Sequence, residues 1–284
     1  MPTAQSLLKR FNDSRTLPHV ALRLSKLFSS EGSRIQEFES LIKMDPVLVS
    51  RLLRMVNSPY YGIREKITSI SRAIVFIGMK NLRNIVVIEG LKETIQGVGP
   101  KQGFSRKRLW LHCVAVSICC QVIVERIFGQ RGEDAFLCGI LHDIGLIVED
   151  QIVPDLFAGT CQAATADSKP FPLIEKEIIG TDHCEVGALL AQTWNLPEEV
   201  CKGIRKHHTV DETTLPGSLI GITQLAEFMA SKMGYGGLGD EASKMSRPLD
   251  DHIRDNLQEY QLLAKDIPDK LAMARDLYEH QEAG

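Results

Sequence analysis

The run Ala135-Phe136-Leu137-Cys138-Gly139-Ile140-Leu141 ends on His142-Asp143, an ionisable pair at the close of an apolar stretch. Burying an imidazole and a carboxylate costs free energy unless each finds a partner. Two kinds of partner suit the pair: a divalent metal ion or a local hydrogen-bond network. His112 precedes it, and His183, His207 and His208 follow, so five of the chain's eight histidines fall between positions 112 and 208. Imidazoles with carboxylates make a mixed nitrogen and oxygen donor set, which suits iron, manganese, nickel or zinc. One such ion, or two a few Å apart, would activate water and clamp a phosphodiester. Imidazole ligates only when neutral, so occupancy is expected to fall with pH. The plainer alternative is structural: His112 taken alone reads as a hydrogen-bonded core residue, and His183 could serve its helix end.

The elements that must position these groups read as helices. No strand-like alternation lasts five residues, and helix-period patterns dominate. Ser105 can cap a long helix in which Leu109, His112, Cys113, Val116, Cys119, Cys120, Ile123 and Ile127 share the apolar face. Glu133-Asp134 favour the start of the helix that carries His142-Asp143. Neighbouring helical residues point about 100° apart, so the pair can share one ion only near a helix end. Thr181-Asp182 should cap a helix from His183, and Pro197 should start one that ends at His207-His208. A further helix runs from Leu219 to Met229, with Glu227 beside its apolar stripe.

Upstream, Leu17-Pro18 opens a first segment and Ile35 to Ile42 reads as an amphipathic helix. Asp45-Pro46 is expected to start another. Asn57-Ser58-Pro59-Tyr60-Tyr61-Gly62 marks a turn, read as held by local side-chain hydrogen bonds. A short helix, Ile70 to Ile77, is expected to stop at Gly78, and Asn81 to cap the next. The breaker cluster Gly97 to Gly103 suggests a lobe boundary, giving lobes 1–104 and 105–284. Gly159 to Pro172 reads as a loop. Two amphipathic segments, Ile253 to Leu263 and Ile267 to Tyr278, close the chain. The fold expected is all-α, a two-lobed helical bundle.

Composition narrows the partners. A length of 284 residues allows two domains or one large one. The formal net charge of −3 gives no global basic field, so no DNA binding is expected. No run of 18 apolar residues is seen, so no membrane span is expected. Seven cysteines without a CxxC pair, several inside apolar helical patterns, suit a reduced, cytoplasmic compartment.

The residues also carry a resemblance. Asp45-Pro46, then Leu52-Leu53-Arg54-Met55-Val56-Asn57-Ser58-Pro59, then Ala73-Ile74 and Gly78 resemble the HD-related output domain, or HDOD domain, of bacterial signalling proteins. Gly139-Ile140-Leu141-His142-Asp143-Ile144-Gly145, His183-Cys184-Glu185-Val186-Gly187, Trp194-Asn195-Leu196-Pro197 and His207-His208 extend it, so that it covers about Leu17 to Met229. They are also similar to the catalytic HD superfamily of metal-dependent phosphohydrolases, including the HD-GYP branch that opens cyclic di-GMP. The resemblance implies a metal-ligand set of His112, His142, Asp143, His183, His207, His208 and Glu227, the last standing where that branch has Asp. The lysine that commonly follows its HDIG motif is Leu146 here. Thr209-Val210-Asp211 stands where a Gly-Tyr-Pro signature would follow.

The resemblance implies a signal-transduction output module that binds a signalling protein partner or a nucleotide. The remaining residues leave no room for a receiver, kinase or cyclase segment, so a stand-alone module is expected. The alternative is a metal-dependent phosphohydrolase acting on a phosphodiester or nucleotide, such as a cyclic dinucleotide. Catalytic residues beyond the ligand set are not assigned.

Overall fold

The computed structural model describes residues 1–14, 27–28, 34–44, 46–57, 65–95, 103–166, 169–238 and 245–279. The described elements are helices: α1 (Ala4–Ser14), α2 (Ile35–Lys43), α3 (Pro46–Val56), α4 (Ile70–Ile95), α5 (Arg106–Arg126), α6 (Glu133–Leu141), α7 (Ile144–Ile152), α8 (Pro154–Ala166), α9 (Phe171–Ile178), α10 (His183–Thr193), α11 (Glu198–Lys206), α12 (Leu219–Lys232), α13 (Arg247–Asp255) and α14 (Leu257–Glu279). The fold is all-α, as the periodicity predicts. The segment from Leu17, the Asp45 cap and most of the Gly97 to Gly103 breaker lie outside the described residues.

Contacts divide the chain into two units, one of residues 1–15 and 95–271, the other of 16–94 and 272–284. In the smaller unit, Phe38 and Ile42 of α2, Leu48, Leu52 and Val56 of α3, and Ile70, Ala73, Ile74, Ile77, Leu82, Ile85 and Val86 of α4 form one buried cluster. Asn57 closes α3; the rest of the expected turn, 58–62, lies outside the described residues. The Asn57 side-chain amide donates to the carbonyls of Leu53 and Ile67, both at 2.7 Å, and its Oδ1 accepts from Ile67 N–H at 2.7 Å. Gly78 interrupts α4 with φ +79° and ψ 161°, so the expected stop is a kink between two helical stretches. The Asn81 amide braces it by donating to the Ile77 carbonyl at 2.8 Å.

The larger unit is organised around α5, which packs against α6 and α12. By length and composition α5 could cross a bilayer, but 72% of its most apolar window is buried inside this unit, as befits a central helix. The predicted caps form: Ser105 Oγ accepts from Arg108 N–H and Asp182 Oδ1 from Glu185 N–H. α1 packs on α7 and α10, burying Leu7, Leu8 and Phe11, and Arg10 donates to the Ile152 carbonyl at 2.8 Å.

Two expectations are corrected. Residues from Gly159 to Ala166 continue α8 instead of forming a loop. Phe157 and Cys161, four residues apart, bury one face, and the alanines favour helix more than a single glycine opposes it. The terminal segments re-divide as α13 and α14, with the break at Asn256 and Pro268 inside α14. Leu263, Ile267 and Leu271 are buried at successive four-residue steps, so packing carries the helix through the proline.

Candidate metal centre

Five chain segments deliver the seven predicted ligands. His112 comes from the middle of α5 and Glu227 from α12. His142 caps the C-terminus of α6 and Asp143 precedes α7, so the pair sits at the helix junction where both side chains can face one point. His183 is the first residue of α10; His207 caps the C-terminus of α11, and His208 follows.

Two glycines permit this convergence. A Cβ on Gly139 would lie 2.6 Å from Ser117 Cα, so α5 and α6 approach backbone to backbone. A Cβ on Gly145 would overlap the His183 carbonyl and lie 2.7 Å from its carbon, so α7 and α10 meet just as closely. The first contact brings His112 to His142; the second brings His183 to Asp143.

Asp143 lies at the middle. Its Oδ2 is 3.3 Å from His142 Nε2 and 3.5 Å from His112 Nε2. Its Oδ1 is 3.3 Å from His183 Nε2 and 3.5 Å from His207 Nε2. Donor atoms of Asp143, His183, His207 and His208 lie within 4.8 Å of one another, as do those of His112, His142 and Glu227. His208 Nε2 is 3.9 Å from Glu227 Oε1. Six of the seven residues are buried; the His208 side chain, 23% exposed, forms the open edge.

Every inner imidazole is held from behind. His112 Nδ1 donates to the Tyr235 carbonyl at 2.6 Å, His142 Nδ1 to that of Gly139 at 2.7 Å, and His207 Nδ1 to that of Ile204 at 2.7 Å. His183 Nδ1 donates to Glu175 Oε2 at 2.7 Å. With each Nδ1 committed as donor, the neutral ring presents a bare Nε2 lone pair. Those lone pairs face one another: His112 and His142 Nε2 are 3.1 Å apart, and His183 and His207 Nε2 are 3.3 Å apart. Neither contact is stable between neutral rings without a proton or a cation. Glu227 Oε2 is also buried with no hydrogen-bond partner. The donor set therefore fits a divalent ion.

The electrostatics agree. Burial opposes ionisation of Asp143, yet the surrounding imidazoles hold its carboxyl well below the usual range. Burial likewise opposes charge on His183 and His207, but Cys184 and nearby carboxylates, Asp143 among them, raise both well above an ordinary histidine. Burial and neighbouring imidazoles lower His112 and, more strongly, His208. Protons thus supply positive charge to part of the cluster when no ion does.

The sequence pattern of the HDOD domain matches residues 15–210. The chain belongs to the HDOD family. A crystal structure of an HDOD domain protein from Geobacter sulfurreducens shares 22% identity and superposes with a TM-score of 0.66, covering 92% of this chain and 97% of that one. A Shewanella amazonensis protein named as a candidate phosphohydrolase is 29% identical at a TM-score of 0.66, covering 96% of this chain and 95% of its own. An uncharacterized protein of Treponema pallidum (strain Nichols) is 27% identical over 208 residues, which are 73% of this chain; the chain spans only 40% of that relative's length.

Three residues of this HDOD centre escape sequence reasoning. Glu175, on α9, buttresses His183 from eight residues upstream, with no local pattern linking them. Glu149, buried on α7, lies against Glu175; burial and that neighbour push its carboxyl well above the ordinary range. Cys184, adjacent to His183, places Sγ 3.5 Å from His183 Nε2 and 4.0 Å from His207 Nε2. Burial opposes its ionisation, but the two imidazoles outweigh burial and lower the thiol.

Proposed function

We propose that this HDOD protein is a signal-transduction module whose HD unit holds one or two divalent ions and hydrolyses a phosphate ester of the phosphodiester or nucleotide class. The observation that carries the reading is the double use of Asp143, with two imidazoles on Oδ1 and two on Oδ2. His112, His142, Asp143, His183, His207, His208 and Glu227 would hold the metal, which is iron, manganese, nickel or zinc by the chemistry of the donors. When bound, it supplies Lewis acidity toward a phosphoryl oxygen and activation of water at neutral pH.

The chain's own residues do the rest. The four Nδ1 hydrogen bonds fix ring orientation before substrate arrives, so no reorganisation is needed at the moment of reaction. Asp143 offsets positive charge at the centre. His208 stands at the open edge, with Glu227 buried behind it, and is the first of these side chains a phosphate ester meets. The name of the 29% identical Shewanella protein supports the same reading.

A second reading keeps the metal-binding fold and drops turnover: the module binds a signalling protein partner, or a nucleotide such as a cyclic dinucleotide, and passes the signal on. Leu146 favours it, because this position, a lysine in the HD-GYP branch, is here a buried apolar residue. The seven cysteines are free and buried, which supports a cytoplasmic setting.

Metal analysis of protein purified without a metal-binding tag, beside His142→Ala, tests the reading. Near-stoichiometric metal lost in the variant, with phosphodiester or nucleotide turnover lost in parallel, is the expected result. Metal without turnover leaves the binding module. Wild type that cannot be loaded with any of the four ions rejects the metal centre.

A further inference from the structure

We propose that Cys184 is a thiolate ligand of the metal centre, completing with Asp143, His183 and His207 a four-donor site that selects zinc. The inference rests on the metal reading above and adds a ligand of a different chemical class. A zinc ion held tetrahedrally at about 2.0–2.1 Å from nitrogen or oxygen and about 2.3 Å from sulfur requires donor separations of roughly 3.3–3.4 Å between nitrogen or oxygen atoms and roughly 3.6 Å from sulfur to nitrogen. The observed separations are 3.3 Å for His183 Nε2 to His207 Nε2, and 3.3 and 3.5 Å from Asp143 Oδ1 to those two nitrogens. From Cys184 Sγ they are 3.5 and 4.0 Å. Four of these five separations lie within about 0.2 Å of the edges of one coordination shell, and the fifth, from Sγ to His207, is the longest at 4.0 Å.

The direction of the thiol separates Cys184 from the cysteines that merely fill the core. Cys120 and Cys201 aim Sγ at the backbone carbonyls of Ile222 and Leu196, and Cys138 at the Val200 carbonyl and, at 3.2 Å, the Thr223 hydroxyl. Cys184 aims at two imidazole nitrogens whose other ring nitrogens are already committed. A soft thiolate beside two imidazoles and a carboxylate favours zinc over manganese. Ligation releases the thiol proton to solvent. With Cys184 in the fourth place, His208, whose Nε2 lies 3.9 Å from Glu227 Oε1, joins His112, His142, Glu227 and Asp143 Oδ2 as the half open to a second ion and substrate.

Cobalt(II) titration of chelator-treated, reduced protein tests this. Wild type should develop visible ligand-field bands together with a near-ultraviolet sulfur-to-cobalt charge-transfer band. Cys184→Ser should keep the ligand-field bands, lose the charge-transfer band and bind zinc at least about tenfold more weakly, the loss that removal of an outer partner alone can cause. Cys201→Ser should match wild type. Ligand-field bands without charge transfer in wild type, or charge transfer surviving in Cys184→Ser, overturn the assignment and leave the metal centre standing. Wild type with no cobalt bands at all overturns both. Should Cys184→Ser fail to fold, thiol alkylation of wild type decides: zinc must shield Cys184 in peptide mass mapping, and equal labelling with and without zinc refutes the ligand.

Discussion

Glu175 and His183 form a buried carboxylate–imidazole pair in which Nδ1 donates to Oε2 at 2.7 Å, and the His183 backbone N–H reaches the same oxygen at 3.3 Å. The carboxylate fixes both the tautomer and the direction of Nε2. Replacing it with alanine should lower zinc affinity by about 10–100-fold, the usual cost of losing such a partner. Gln keeps an acceptor and should recover part of that loss. Competition against a chromophoric chelator measures both variants; unchanged affinity in Glu175→Ala would remove Glu175 from the site.

Behind this pair sits a second proton. Both oxygens of Glu149 and Oε1 of Glu175 are buried without hydrogen-bond partners. A proton on Glu149 resolves two of the three, because the acid donates to Glu175. Burial, then the Glu175 charge, raises the folded-state value well above that of an ordinary glutamate. A raised carboxyl stabilises the fold fully below the unfolded value, and that contribution is lost as pH rises toward the folded value. Glu149→Gln presents an amide donor at every pH. Urea unfolding should therefore show the variant close to wild type near pH 4.5 and increasingly more stable toward pH 8; a pH-independent difference would refute the shared proton.

Metal binding should follow the opposite slope. His183 and His207 are raised histidines, so in the metal-free protein they contribute stability at low pH that is lost as pH rises through their folded values. An incoming ion must displace those protons. The thermal stabilisation produced by zinc should grow steadily from pH 6 to 8.5, and calorimetry in buffers of different ionisation enthalpy should detect proton release. Zinc affinity that is flat across this range would contradict the protonation pattern.

Gly145 offers a test of the scaffold. A methyl group there collides with the His183 backbone, and the backbone cannot move aside as a flexible side chain could. Gly145→Ala should push α7 from α10, destabilise the protein by about 1–3 kcal/mol or more, and reduce metal stoichiometry even though every ligand remains. Differential scanning calorimetry with metal analysis reads both effects. Normal loading would mean that the close approach is not what positions Asp143 against His183.

What the sequence discloses depends on range. The caps at Ser105 and Asp182 are local signals, read correctly because each depends on residues within a turn or two; the histidines and the HD pair are equally local as a pattern. The convergence of His112 with His142 rests on Gly139 meeting Ser117, a contact between two helices that spacing does not reveal. Glu175 is invisible for the same reason. Cys184 was in plain view beside His183, but a cysteine in an apolar helix reads as a small hydrophobe until its neighbours across space are known. The misread stretch from Gly159 shows the converse: one glycine looked like a breaker where burial of Phe157 and Cys161 sustains a helix.

The packing of α1 against α7 and α10 sets an order of events at the ribosome. Leu7, Leu8 and Phe11 emerge roughly 170 residues before His183, and synthesis at about 5–20 residues per second leaves them waiting for about 10–35 s. During that interval the amphipathic α1 has no surface of α10 on which to settle. The ligands His183, His207 and His208 arrive still later than His112, His142 and Asp143. The centre is thus incomplete until Glu227 of α12 has been made, and a nascent chain stalled before α10 offers only His112, His142 and Asp143.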